Sequence, residues 1–216
     1  MDPIVEATRL SLLVAFWSTI LTVPLSLCLS TLLYGSRFRS LELVLLFPLF
    51  LPPTVSGFVI LWCLSPLQPL GSLLQRFGGN IVFTWTGTVL ACVVVSFPLA
   101  FQACIVGLSR VRKELIESAT VLGGSDFLNR VRVVFPQMKG AIFAAGLLVF
   151  ARALGEFGAS MMVGGNIQGQ TQTLPLAVYS YAEVGNFFLA GWSALAACLL
   201  GLLVYVMFRV LESRAS

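Results

Sequence analysis

The chain contains no histidine, and only 10% of its 216 residues are charged. Histidine is the side chain that titrates near neutral pH and the commonest metal ligand, so its absence excludes serine–histidine or cysteine–histidine catalysis and histidine-based metal centres. Aspartate is almost as scarce. Asp2 and Asp126 both lie outside the long apolar stretches, which excludes an intramembrane aspartyl pair. The five cysteines (Cys28, Cys63, Cys92, Cys104 and Cys198) sit within apolar runs, with no two at CxxC spacing. They read as small fillers, not as a redox motif or zinc cluster. A GxxxxGK[ST] phosphate loop is missing too, so ATP hydrolysis is not expected of this chain alone. Repeats at a fixed period and low-complexity segments are likewise absent.

What the chain has in excess is apolar surface: 58% hydrophobic residues and a mean hydropathy of +0.96. A soluble domain has about 45–50% apolar and about 25% charged residues, so this is the composition of a polytopic membrane protein. A crossing helix needs about 20 mostly apolar residues. Five stretches qualify, at about 11–34, 43–64, 82–108, 140–164 and 191–211. The first follows Asp2, Glu6 and a lone Arg9 in place of a basic leader, and reads as an uncleaved helix. The second is interrupted by Pro48, Pro52 and Pro53. The expected fold is all-α: one domain over about 8–210, a bundle of about five transmembrane helices. Residues 166–185 are too polar to cross, and would re-enter the membrane only where protein shields them.

Charge sets the orientation. With the N-terminus outside, the inner face gathers Arg37, Arg39, Arg110, Arg112, Lys113, Arg130, Arg132, Lys139, Arg209 and Arg214, while the outer face keeps Arg9 and Arg76. That asymmetry follows the positive-inside rule and places the C-terminus in the cytoplasm. Trp17, Trp62, Trp85 and Trp192 then fall towards the outer interface, as an aromatic belt does.

The one long polar stretch on the inner side, residues 109–139, has internal order. VRKELIESATVL carries helical spacing, with Leu115, Ala119 and Leu122 on one face. Gly123 and Gly124 break that helix, Ser125 caps a second short one (DFLNRVRVV), and Pro136 is expected to stop it. A helix–glycine–helix of this kind is built to dock on a partner; a solvated loop that only satisfies topology is the plainer alternative.

Within the spans, Pro52 and Pro53 remove backbone donors, so residues 51–57 are expected to face protein or a water-filled cavity. Thr54, Ser56, Ser96, Thr171 and Thr173 are weak donors along such a path, or hydroxyls bonded back to their own helices. Arg152 and Glu156 are the charges inside a span; four residues apart, they share one helical face and make a neutral pair. The pair either locks this helix to its neighbours or belongs to the path. Gly155 and Gly158, with Ala151, Ala153 and Ala159, offer a close-packing surface expected to be a subunit seam.

The spacing Glu117, Ala119, Gly123, Val133, Phe135, Pro136 resembles the E-A-A, three residues, G, nine residues, I-x-L-P signature of binding-protein-dependent ABC importer permeases. Ser118 replaces the middle alanine, and Val133 and Phe135 replace isoleucine and leucine. LFPLFLPPTVSGFVIL, FTWTGTVLACVVVSFPLAFQA, FARALGEFGAS and GNIQGQTQTLPLAVY are similar to stretches of the molybdate, tungstate and sulfate permeases. Length and span layout look most like the molybdate members. The resemblance implies a type I importer permease fold and a coupling surface formed by Glu114, Glu117, Ala119, Gly123, Gly124, Val133, Phe135 and Pro136. It also implies a path or gate near Pro52, Pro53, Thr54, Ser56, Gly57, Arg152, Gly155 and Glu156. The implied partners are a cytoplasmic ATPase that uses the ATP, an extracytoplasmic molybdate-binding protein meeting the outer loops around 65–82 and 165–188, and a second copy of the chain. No catalytic residue, resident metal or directly bound cofactor is expected, nor any nucleic-acid partner. Tungstate and sulfate stay open as cargo because all three are tetrahedral dianions. A passive membrane scaffold, the reading of a different class, leaves the helix–glycine–helix segment unexplained.

Overall fold

In a computed structural model of the chain, the described residues are 2–34, 39–76, 79–121, 123 and 125–215. Among them the regular structure is helical. Four helices are long and apolar enough to cross a membrane: Pro3–Leu33, Trp85–Ser109, Arg130–Leu154 and Phe187–Val210; a bent pair, Leu41–Phe50 with Pro53–Cys63, makes a fifth if counted as one span.

Helix α1 (Pro3–Leu33) starts where Asp2 Oδ1 accepts the Ile4 N–H at 3.1 Å and Pro3 occupies the first turn. Its inward face is small and hydroxylated, with Ala7, Ser11, Ala15, Ser18, Thr22, Ser26 and Ser30 buried, while Leu12, Phe16, Trp17, Ile20, Leu21 and Leu25 point outwards. Lipid offers apolar side chains no worse a home than protein does, so close approach of backbones decides which face turns in. Helices α2 (Arg39–Leu46) and α3 (Pro53–Cys63) flank a 3-10 turn at Phe47–Phe50, and α4 (Pro69–Arg76) follows. Helix α5 (Trp85–Ser109) is the centre of the molecule, with 61% of its apolar window buried against 17–28% for the other three long helices. It is capped by Thr84, whose Oγ1 accepts the Gly87 N–H at 3.2 Å.

After α5 come α6 (Lys113–Val121), α7 (Asp126–Asn129), a π turn at Arg130–Val134, α8 (Phe135–Leu154) and α9 (Gly158–Gly164). Helices α10 (Leu174–Glu183) and α11 (Phe187–Ala215) close the chain and pack on each other. The core is the trio α1, α5 and α8, with α3 and α9 paired against α5. At Gly107 a β-carbon would stand 2.5 Å from Ala141 Cβ, so α5 and α8 approach closely there.

Two expectations are corrected, and the interruption expected in the second span is found. The span expected at 140–164 is two helices in another register: α8 ends at Leu154, and α9 begins afresh at Gly158. Gly155 weakens the helix, and the Glu156 side chain takes up the Ala159 N–H at 2.8 Å, opening a new helix in place of the old one. Pro136 does not stop the helix that Ser125 begins. It lies in the first turn of α8, and the preceding π turn, with Phe135 N–H bonded to Arg130 C=O, carries the chain through without a break. The second span is sharply broken: its two helices meet at 117°, with Leu51 and Pro52 extended between them.

Residues 166–173 form a loop folded onto the protein, with Thr171, Gln172 and Thr173 buried. Ser11 Oγ of α1 accepts the Leu174 N–H at 2.8 Å. Asn166, Gln172 and Ser180 bond to one another across this turn. The 10-residue α10 is too short to cross alone.

Candidate functional site

Two places collect the residues singled out by sequence. The first is the polar segment between α5 and α8. Beyond the end of α6 stands Gly123, whose φ of +85° is the left-handed conformation that suits glycine; a β-carbon there would touch nothing. Ser125 Oγ accepts the Leu128 N–H at 3.4 Å and so begins α7. Asn129, 5% exposed, donates from Nδ2 to Thr120 Oγ1 at 3.0 Å and ties α6 to the foot of α8. A second tie runs from the Arg112 N–H to Gln137 Oε1 at 3.2 Å.

This arrangement sorts the expected residues. Glu114, Glu117 and Pro136 are exposed; Ala119, Val133 and Phe135 are half-buried, Phe135 against the Ala100–Cys104–Met138 cluster. Gly124 and Leu122 lie outside the described residues. The face of α6 that packs runs through Ile116 and Thr120, whereas Leu115 is 45% exposed. Val121 (87%), Leu128 and Val131 are also exposed, leaving apolar side chains among charged ones on an element otherwise firmly held. Neither tie, Asn129–Thr120 or Arg112–Gln137, was legible in advance, because both join residues whose own helical patterns carry no sign of the partner.

The second place lies within the membrane-length part of the chain, where two helix breaks meet. A β-carbon on Gly57 would stand 2.7 Å from Ala159 Cα, and one on Gly158 would stand 2.9 Å from Thr54 N. The first turns of α3 and α9 therefore touch backbone to backbone. Pro53 is half-buried beside Gly158; Ser56 and Gly57 are buried; Pro52 and Thr54 are exposed. Ser56 Oγ, like Ser96 Oγ and Thr173 Oγ1, is buried with no protein hydrogen-bond partner, whereas Thr171 Oγ1 accepts the Ile167 N–H at 3.0 Å.

Arg152 and Glu156 do pair, at 2.6 Å from Nη1 to Oε2, with side-chain exposures of 29% and 1%. They do not share a helix: Arg152 is on α8, and Glu156 stands in the break beyond it. The small residues expected to make a subunit seam are mostly consumed inside the chain. Ala153 packs with Val14, Val89 and Cys92, and Ala159 with Ala91, Val95 and Val163. Gly155 is exposed, and a β-carbon on it would stand 3.8 Å from Ala151 O and 4.0 Å from Arg152 O, ordinary contact distances. Among the described residues, no group of three potential metal ligands forms.

The family model for the binding-protein-dependent transport system inner membrane component matches residues 11–216. This chain belongs to that family. Among the permease's relatives, the molybdenum transport system permease protein ModB of Haemophilus influenzae is 37% identical over 183 residues, covering 83% of this chain and 80% of that one. ModB of Azotobacter vinelandii is 32% identical over 212 residues, covering 96% and 93%. The sulfate transport system permease protein CysW of Synechococcus elongatus is 34% identical over 215 residues, covering 97% and 74%. Among solved structures, a chain of a bacterial ABC transporter that imports the acidic polysaccharide alginate superposes with a TM-score of 0.76 at 12% identity, covering 99% of this permease and 80% of that chain. A chain of the MetNI methionine ABC transporter in inward-facing form gives 0.71 at 14%, covering 99% and 94%. At such identities the likeness speaks for the fold alone, that of an ABC importer permease.

Proposed function

We propose that this permease is the membrane subunit of an ABC importer that carries molybdate into the cell. The observation that carries the reading is the pair of molybdenum permease relatives, which match it across 80% and 93% of their lengths at 37% and 32% identity. In this reading a separate ATPase hydrolyses the ATP and grips the α6–α7 element. Glu114, Glu117 and Pro136 meet it directly with the exposed Val121, while Ala119, Gly123, Gly124, Val133 and Phe135 shape and seat the element. The excess of arginine and lysine on this side makes it the cytoplasmic one, with the N-terminus outside. A second copy completes the pathway, with Pro52, Pro53, Thr54, Ser56, Gly57, Arg152, Gly155 and Glu156 at or behind its wall.

A desolvated dianion is held by several converging donors or helix N-termini. Here Arg152 is already engaged by Glu156, so discrimination between anions falls to an extracytoplasmic molybdate-binding protein. An outer cavity of about 580 Å³, lined by Glu6, Arg9, Thr84, Thr86 and Gln170 among others, lies where that protein would dock.

Sulfate is the second reading, favoured by the CysW relative. ATP-dependent uptake of labelled molybdate into vesicles holding the permease with its ATPase and binding protein separates the two. Block by tungstate and indifference to sulfate are expected. Displacement by comparable sulfate reassigns the cargo, and no uptake of any of the three anions rejects the substrate class.

A further inference from the structure

Glu156 is 2% exposed and holds a donor on each side of a helix break. Its Oε2 lies 2.6 Å from Arg152 Nη1 on α8, and its Oε1 accepts the Ala159 N–H of α9 at 2.8 Å. A carboxylate can pair with a cation through one oxygen while the other accepts an N–H, and here the Arg152 contact is an ion pair and the Ala159 contact the hydrogen bond. Between the two grips stands Gly155, exposed and uncrowded. Without Glu156, α8 and α9 would be joined at this point by a loose peptide swivel.

Each side of the break leads somewhere. Below it, the helix Arg130–Leu154 runs 25 residues, about 37 Å, down to Asn129, which holds Thr120 of α6, while Gln137 holds the Arg112 N–H. Above it, α9 touches α3 backbone to backbone at Gly57–Ala159 and Gly158–Thr54, so the first turn of α3 cannot shift unless α9 shifts. That first turn is the upper half of the 117° bend.

We propose that Glu156 is a positioning residue that clamps α8 to α9 across Gly155, so that movement of the ATPase-docking end of α8 is delivered to the Pro52–Pro53 break. The proposal rests on the permease reading above. Coupling over such distances is carried by packed, stiff elements in series, and in this series the Glu156 clamp is the side-chain link that spans the break between α8 and α9. A pair that merely stabilised the fold would lower transport and hydrolysis together. A clamp that transmits motion sets how many anions cross per ATP.

The test uses the complete complex in liposomes, with its ATPase and loaded binding protein. Arg152→Met/Glu156→Leu removes both charges at once and leaves neither buried alone. Anions imported per ATP hydrolysed are expected to fall by about tenfold or more, and Arg152→Lys, which keeps a cation of nearly the same reach and leaves Glu156 in place, to recover to within about threefold of wild type. Should the apolar variant fail to assemble, Glu156→Asp, too short to reach both donors, is expected to give the same fall. An unchanged ratio, or uptake and hydrolysis declining in step, overturns the proposal.

A second readout does not depend on the cargo. In a chain with Cys28, Cys63 and Cys198 replaced by serine, thiol labelling of Phe50→Cys beside the bend is expected to change about fivefold or more between nucleotide-free and ATP–vanadate-trapped complexes. In the apolar variant it is expected to stay flat. A persistent response there, or none in the complex with the clamp intact, overturns the clamp. A response in the intact complex without uptake of any oxyanion overturns the cargo assignment and leaves the clamp standing.

Discussion

Glycine matters here through what its missing side chain lets near. At Gly57 and Gly158 the neighbouring atoms include backbone of the opposite helix, which cannot rotate away. Gly57→Ala is therefore expected to destabilise by about 1–3 kcal/mol, read as a lower thermal midpoint of the detergent-purified protein. Gly146→Ala would meet Thr19 Cγ2 and Val23 Cγ2 at 3.8 and 3.9 Å, ordinary contact distances, and is expected to lose less. Equal losses would mean that the α3–α9 contact has room to give. The sequence showed part of this. FARALGEFGAS announced close packing, but the same small residues fit a seam between copies as well as a contact within one chain. Only the break after Leu154 decides between them, and that break depends on a bond from Glu156 to a backbone N–H three residues on.

At the level of elements, hydropathy located α1, α5 and α11 because their apolar runs end at charges or turns. It misplaced the fourth span because LGEFGASMMVGG carries a single charge, Glu156, among apolar and small residues across the break, while the polar foot of α8 was discounted as loop. The proline rule failed at Pro136 for a definite reason: proline is tolerated in a first turn, and a π turn ahead of it frees the chain from the clash. The α6–α7 element stands on a few bonds, which makes it testable piece by piece. Glu117→Lys is expected to leave the chain in the membrane and weaken binding of the ATPase by about tenfold or more in detergent pull-down. Asn129→Ala, which cuts the tie to Thr120, is expected to weaken it through loss of order, with a cost of about 1–3 kcal/mol that Thr120→Val reproduces. Full binding by Glu117→Lys would reject this element as the docking surface.

For the molecule as a whole, the orientation rests on charge and can be checked directly. In right-side-out vesicles of a chain lacking exposed native thiols, Leu67→Cys, at a site 92% exposed, is expected to react with an impermeant reagent. Val121→Cys, at a site 87% exposed, is expected to react only after the membrane is opened. The reverse pattern inverts the topology and removes α6–α7 from the cytoplasm. The broad architecture was legible because lipid imposes length and apolarity on every crossing segment. The arrangement of those segments was not, since in lipid apolar character no longer distinguishes inside from outside.

That last point bears on how such a chain tolerates change. On α1 Leu12, Phe16, Leu21, Leu25 and Leu32 face outwards, and any apolar residue of any shape can replace them at little cost. The hydroxyl face sits against α5 and α8, where volume is the constraint and polarity is nearly indifferent: Thr22 and Ser26 satisfy no protein partner with their oxygens. Sequence drift on this helix should therefore run opposite to that of a soluble core: Ser26 exchanges readily for alanine, glycine or cysteine and never for leucine, Ser11 is kept by its bond to the Leu174 N–H, and the outward apolar positions are the least constrained of all.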